Sequence, residues 1–224
     1  MITILQSFNG AELIIAGLAL ILTLIISLSM HELAHAFVAY KCGDTTPKAM
    51  GRLTLNPIAH MDPVGLLFCM VFGFGWAKPV PVNPTNFRNY RKGCALVSVA
   101  GVIVNYILAT ISYLGFILCT KFITEYNNIL TFIEVFCFLM YNLNIMLFVF
   151  NLLPLYPLDG FNLLNSFTRE NNRFTRFVAE KGTILLLVLL VVDEVLSFGF
   201  GFSILGFLVD IAALPIKLMW GWIL

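Results

Sequence analysis

The chain has 224 residues, of which 60% are hydrophobic and 11% charged. Soluble domains carry about 25% charged residues, so with a mean hydropathy of +0.94 this composition is that of an integral membrane protein and excludes a soluble one. A formal net charge of +1, with Lys and Arg scattered between apolar runs, leaves no basic face for nucleic acid. The five cysteines (Cys42, Cys69, Cys94, Cys119, Cys137) contain no C-x-x-C pair and read as free thiols packed as small hydrophobes.

The pattern predicts an all-α polytopic membrane protein with about five transmembrane helices and a re-entrant or extended segment between the first two. It reads as a single integral-membrane domain over 1–224, with a core over about 11–165 and C-terminal helices over 183–220. The first apolar run lacks a basic start and is too long for a cleavable signal peptide. It reads as a permanent span from Ala11 to Tyr40, about 45 Å long against a hydrocarbon core of ~30 Å. Gly43 and Asp44 end it, and residues 41–63 are polar and turn-rich.

Val64 to Trp76 is apolar but short for a crossing, which suits a piece that dips in and returns. Pro79, Pro81 and Pro84 then forbid a helix and favour an extended course. Spans two and three are Ala95 to Thr120 and Ile129 to Leu152, joined by a polar connector at 121–128. Leu153 to Lys181 is polar and basic. Thr183 to Phe198 and Ser203 to Trp220 read as a hairpin with its tip near Gly199 and Gly201. Lys and Arg concentrate in 41–92 and 169–181, so the positive-inside rule puts those regions in the cytoplasm and the N-terminus outside.

His31-Glu32-Leu33-Ala34-His35 lies within the first span. H-E-x-x-H sets two imidazoles at i and i+4 on one helix face, where both can bind one Zn²⁺ and the glutamate can act as general base. Ionisable groups at membrane depth cost about 2.5–3.5 kcal/mol each on insertion scales, so three together are hard to explain as filler. A catalytic zinc site needs a third protein ligand. Asp159, in Asn151-Leu152-Leu153-Pro154-Leu155-Tyr156-Pro157-Leu158-Asp159-Gly160, is the strongest candidate. Pro154 and Pro157 break the helix there and Gly160 lets the chain turn. A helix N-cap is the other role open to Asp159. His60, in a turn-rich loop, is the rival ligand. Asn151, Asn105 and Asn144 could orient a scissile carbonyl or stabilise its oxyanion, or could only bond neighbouring helices.

H-E-L-A-H on a membrane helix, followed by N-x-x-P-x-x-P-L-D-G on a later one, resembles the site-2 protease family of intramembrane zinc metalloproteases. The resemblance covers about residues 20–165. It departs at Val102, where many members have proline after the glycine, and at Phe161 after the D-G pair. It implies a short bacterial-type member without PDZ or CBS modules, with His31, His35 and Asp159 as zinc ligands and Glu32 activating water. The implied reaction is hydrolysis of a peptide bond in or near a substrate's transmembrane helix, as in regulated intramembrane proteolysis, with the active site toward the cytoplasmic side of the cell membrane. Trp76 to Val82 would then offer a strand edge to an unwound substrate. A zinc- or helix-binding protein without catalysis is the alternative. Oligomeric state is not readable from the chain.

Overall fold

At membrane depth a backbone can satisfy its polar groups only by closing them internally, and the long apolar runs of this chain do so as helices. A computed structural model describes residues 10–72, 77–125, 127–168 and 172–223. Its helices are α1 (Ala11–Cys42), α2 (Thr46–Ala49), α3 (Pro63–Phe72), α4 (Tyr90–Phe122), α5 (Asn128–Leu152), α6 (Asp159–Phe167), α7 (Arg173–Phe200) and α8 (Ile204–Trp220), with no strand among the described residues. Five of them, α1, α4, α5, α7 and α8 with the turn after it, are long and apolar enough to cross a membrane.

Polar side chains mark where these helices begin. Asn89, Asn127, Asn172 and Ser203 each accept from a backbone N–H in the first turn of α4, α5, α7 and α8, satisfying donors that have no intrahelical partner. α1 stops at Gly43, whose φ of 115° closes the last turn in a region that side chains avoid.

Lipid tails are as apolar as leucine, so packing rather than transfer from water holds such helices together, and small residues mark the contacts. Ala16, Ala19, Ala36 and Ala39 of α1 are all fully or almost fully buried. Ala19, Leu20 and Leu24 close on Leu139 and Leu143 of α5. Ala109 of α4 meets Tyr141 and Ile145 of α5 and Ala213 and Ile216 of α8. α7 stands apart. Its buried residues, Thr175, Val178, Gly182 and Leu186, all fall in its first half. Gly182 rests on Tyr156, where a Cβ would lie 2.7 Å from the backbone nitrogen.

Two helix starts differ from the sequence reading. α4 starts at Tyr90 rather than Ala95 and α7 at Arg173 rather than Thr183, because the charged residues ahead of each apolar run are themselves good helix formers. α6 lies in the stretch read as polar and basic, where a helix entered only through the possible N-cap role of Asp159. The stretch read as re-entrant contains α3, ten residues long and about 15 Å, too short to cross; the rest of it, residues 73–76, falls outside the described residues. The C-terminal hairpin turns at Gly201, and Asp193 fastens it by accepting from Ser203 Oγ at 2.8 Å and from the Leu205 N–H at 3.0 Å. Cys42, Cys94, Cys119 and Cys137 are free thiols.

Candidate active site

His31 and His35 meet edge to face one turn apart on α1, both buried, and face α4 where it presents Val97, Gly101 and Asn105 at four-residue spacing. His35 Nδ1 lies 2.7 Å from the Val97 carbonyl. A carbonyl can only accept, so the proton is on Nδ1. His31 Nδ1 lies 2.6 Å from Asn105 Oδ1. The Asn105 amide nitrogen donates to Asn144 Oδ1 at 2.7 Å, and that of Asn144 donates to Ser27 Oγ and the Met140 carbonyl, both at 2.8 Å. This chain of amides fixes Asn105 Oδ1 as the acceptor, so His31 also carries its proton on Nδ1. Between the two rings sits Gly101. A Cβ there would lie 2.5 Å from His31 Cε1 and 2.5 Å from His35 Nε2.

Asp159 arrives from the other side. After α5 the backbone turns through Pro154 and Pro157, Leu158 takes the cap position, and Asp159 opens α6 without capping it. Gly160 is required by close approach, since a Cβ would run into the carbonyl oxygens of Leu152 and Leu153. Asp159 Oδ2 stands 3.2 Å from Nε2 of each histidine, and the two Nε2 atoms are 3.0 Å apart. When both imidazoles are neutral, with their protons on Nδ1, three lone pairs converge and none is a donor. Oδ2 is buried without a hydrogen bond. Such a triangle is repulsive until a cation enters it. Tetrahedral ligands about 2.0–2.2 Å from zinc stand roughly 3.3–3.5 Å apart, close to the observed edges, so two imidazoles and a carboxylate here fit zinc.

A cavity of about 600 Å³ opens over this triangle, lined among others by Glu32, Asn151, Pro79, Val80, Asn162 and Asn165. Its roof is the extended segment 77–83, a strap fixed at four points. The Lys78 N–H donates to the His60 carbonyl at 2.9 Å. The buried Arg52 guanidinium holds the carbonyls of Lys78 and Pro79. The Val80 N–H donates to Glu32 Oε2 at 2.9 Å. The Asn83 N–H donates to Asp44 Oδ2 at 2.7 Å. Asp44 has no exposed surface and also accepts from the Thr46 N–H, the Thr46 hydroxyl and the Asn86 amide. Burial pushes its carboxyl up, but these hydrogen bonds outweigh that and hold it below the usual carboxylate range.

The structure thus brings His31, Glu32, His35, Asn151 and Asp159 together and leaves His60, Asn105 and Asn144 outside. His60 is fully buried and bonds the Thr54 carbonyl through Nε2 at 2.9 Å, anchoring its loop rather than joining the triangle. Asn105, a candidate to face the substrate, does not do so. It has no exposed surface and stands behind His31, because its one acceptor is spent on the ring and its donor on Asn144. Asn144 is equally buried behind it. Asn151 does line the cavity; it donates one N–H to the Leu147 carbonyl at 3.0 Å, leaving the other without a partner among the described residues. Sequence reasoning misses the Val97 carbonyl and the Val80 N–H, since a backbone group has no side-chain signature.

The family model described as Peptidase family M50 matches residues 122–190, which contain Asp159 and its loop. "Putative zinc metalloprotease YwhC" of Bacillus subtilis is 47% identical over 174 residues, covering 77% of this chain and 80% of that protein. The chain belongs to peptidase family M50. "Putative zinc metalloprotease Rip2" of Mycobacterium tuberculosis is 28% identical over 199 residues, 87% of this M50 chain and 74% of the relative. The expectation of a multi-pass zinc metallopeptidase of the site-2 protease type is therefore borne out. No solved structure matches the chain.

Proposed function

We propose that this M50 peptidase is an intramembrane endopeptidase in which His31, His35 and Asp159 hold the zinc and Glu32 is the general base. The observation that carries the reading is the convergence of His31 Nε2, His35 Nε2 and Asp159 Oδ2 as three bare acceptors 3.0–3.2 Å apart. Zinc bound there supplies Lewis acidity, toward the scissile carbonyl and toward water.

The remaining work falls to the chain's own groups. Glu32 keeps one oxygen on the Val80 N–H and turns the other to the cavity, where it takes a proton from the attacking water and later returns it to the leaving amine. Asn151, which lines the cavity, has a second N–H to donate to the carbonyl oxygen as charge builds on it. Asn105 and the Val97 carbonyl hold the two rings in one tautomer, the role such outer partners have at metal sites.

The substrate is a membrane protein cut in or near its transmembrane helix, releasing a tethered segment in the manner of regulated intramembrane proteolysis. The active site faces the cytoplasm, as the Lys and Arg of 41–92 and 169–181 favour. Single cysteines at Arg91 and Glu125 test this orientation. A membrane-impermeant maleimide on intact cells should label Glu125→Cys and not Arg91→Cys; the reverse pattern overturns it. The activity is tested with an internally quenched transmembrane peptide in detergent. Wild type should cleave it and zinc-loaded Glu32→Gln should not, whereas a protein that only binds zinc or helices would show no difference between the two.

A further inference from the structure

A peptide chain is cleaved only once its helix has opened, and its carbonyls and N–H groups then need partners inside the cavity. The strap can offer few. Pro79 and Pro81 have no N–H, the N–H groups of Lys78 and Val80 are committed to His60 and Glu32, and the carbonyls of Lys78 and Pro79 are committed to Arg52. Between 78 and 82 the free groups are the Val82 N–H and three carbonyls. Over the described part of the expected strand edge, 77–82, the Ala77 and Val82 N–H groups are the free donors, fewer than the regular alternation of donors and acceptors in a ladder would use; Trp76 lies outside the described residues.

The opposite wall is built differently. α6 starts at Asp159 and sends Asn162 and Asn165 into the same cavity, both exposed to it. The Asn162 amide has no hydrogen-bond partner within the described chain, and that of Asn165 has only a long contact, 3.5 Å, from the Thr168 hydroxyl. At 1.5 Å per residue they stand about 4.5 Å and about 9 Å along α6 from Asp159. An extended chain advances about 3.3 Å per residue. Each amide brings two donors and one acceptor, which makes good what the strap lacks.

We propose that Asn162 and Asn165 bind the backbone of the unwound substrate, Asn162 at the peptide unit next to the scissile one and Asn165 one or two units further on. The substrate class is accordingly an extended apolar segment recognised through its carbonyls, with little demand on side-chain identity at those positions. The inference rests on the proposed activity and deepens it.

The test uses full-length protein and one internally quenched transmembrane peptide, with a second peptide whose side chains beside the cut are changed. Asn162→Leu should keep its zinc and its kcat and raise KM roughly 3- to 10-fold, the usual worth of a neutral hydrogen bond, by the same factor for both peptides. Asn162→Gln should recover part of the loss. In the Glu32→Gln background, p-benzoylphenylalanine at position 165 should capture a biotinylated copy of the peptide on irradiation. The same group at Phe167, exposed outside the cavity, should not. Unchanged KM in Asn162→Leu, or equal capture at 165 and 167, overturns the inference while the activity stands. Equal cleavage by wild type and zinc-loaded Glu32→Gln overturns the underlying reading, and this inference with it.

Discussion

The Val80 N–H donates to Glu32 Oε2 at 2.9 Å, joining the strap to the glutamate of the H-E-x-x-H motif across 48 residues of sequence. Prolines on both sides restrict the backbone, so Val80 holds the one N–H of the Pro79-Val80-Pro81 triplet against that carboxylate. A hydrogen bond to an ionised group contributes about 1.5–3 kcal/mol. Val80→Pro should therefore lower kcat about 10- to 100-fold with zinc content unchanged. Val82→Pro, which touches no such contact, should leave kcat within a few-fold of wild type. Steady-state kinetics beside metal analysis separates the two, and equal loss in both variants would make strand pairing the role of this segment.

Gly101→Ala tests the close approach of α4 to the histidines. An exposed Gly→Ala change inside a helix stabilises it by about 1 kcal/mol. Here the added Cβ would lie 2.5 Å from both rings, and the rings are tethered by Asn105 and Val97 and cannot swing away. The variant should lose most of its zinc and melt lower than wild type. Wild-type zinc content with a raised melting temperature would show that the rings have room.

Asn105→Ala leaves the His31 Nδ1–H and the Asn144 carbonyl oxygen unpaired in a buried place, a loss of about 1–3 kcal/mol for each. Zinc affinity should fall about 10- to 100-fold, as it does when outer-shell partners of ligating histidines are removed. Asn144→Ala should weaken zinc less, and the double variant should be less than additive because the two amides form one chain. Competition with a chelating dye measures each affinity.

Much of this site is legible in the sequence because its chemistry rests on rare side chains at fixed spacing. Two histidines and an acid inside an apolar run are costly to insert, a cost that a shared cation would offset. The broken helix at Pro154 and Pro157 marks where a third ligand could arrive. What escapes is carried by backbone or by context. The Val97 carbonyl and the Val80 N–H belong to every residue type alike. Asn105 and Asn151 are the same side chain in similar helices, and only the packing of α1 on α4 tells which one faces the cavity. α6 has no clear signal because Asp159, Gly160 and its asparagines are weak helix formers; the burial of Gly160, Phe161 and Ser166 stabilises it from outside its own sequence.

Asp44 gives the strap a pH dependence whose sign follows from its carboxyl being held below the ordinary value of 3.8. A lowered folded-state pKa stabilises the fold above the ordinary value, and that stabilisation is lost as pH falls through the lowered one. The strap should stay protected from limited proteolysis near Asn83 at neutral pH and loosen as acid takes the pH below about 3.8. Asp44→Asn should be cleaved there already at neutral pH. Identical cleavage of wild type and variant at neutral pH would remove Asp44 as the anchor.

The zinc content of detergent-purified wild type beside Asp159→Ala bears most directly on the site as a whole. One zinc per chain, lost or greatly weakened in the variant, is the expected result, since His31 and His35 would then be left with no third protein ligand. Full retention of zinc in Asp159→Ala, or a wild type that binds none, would contradict the site built from α1 and α6.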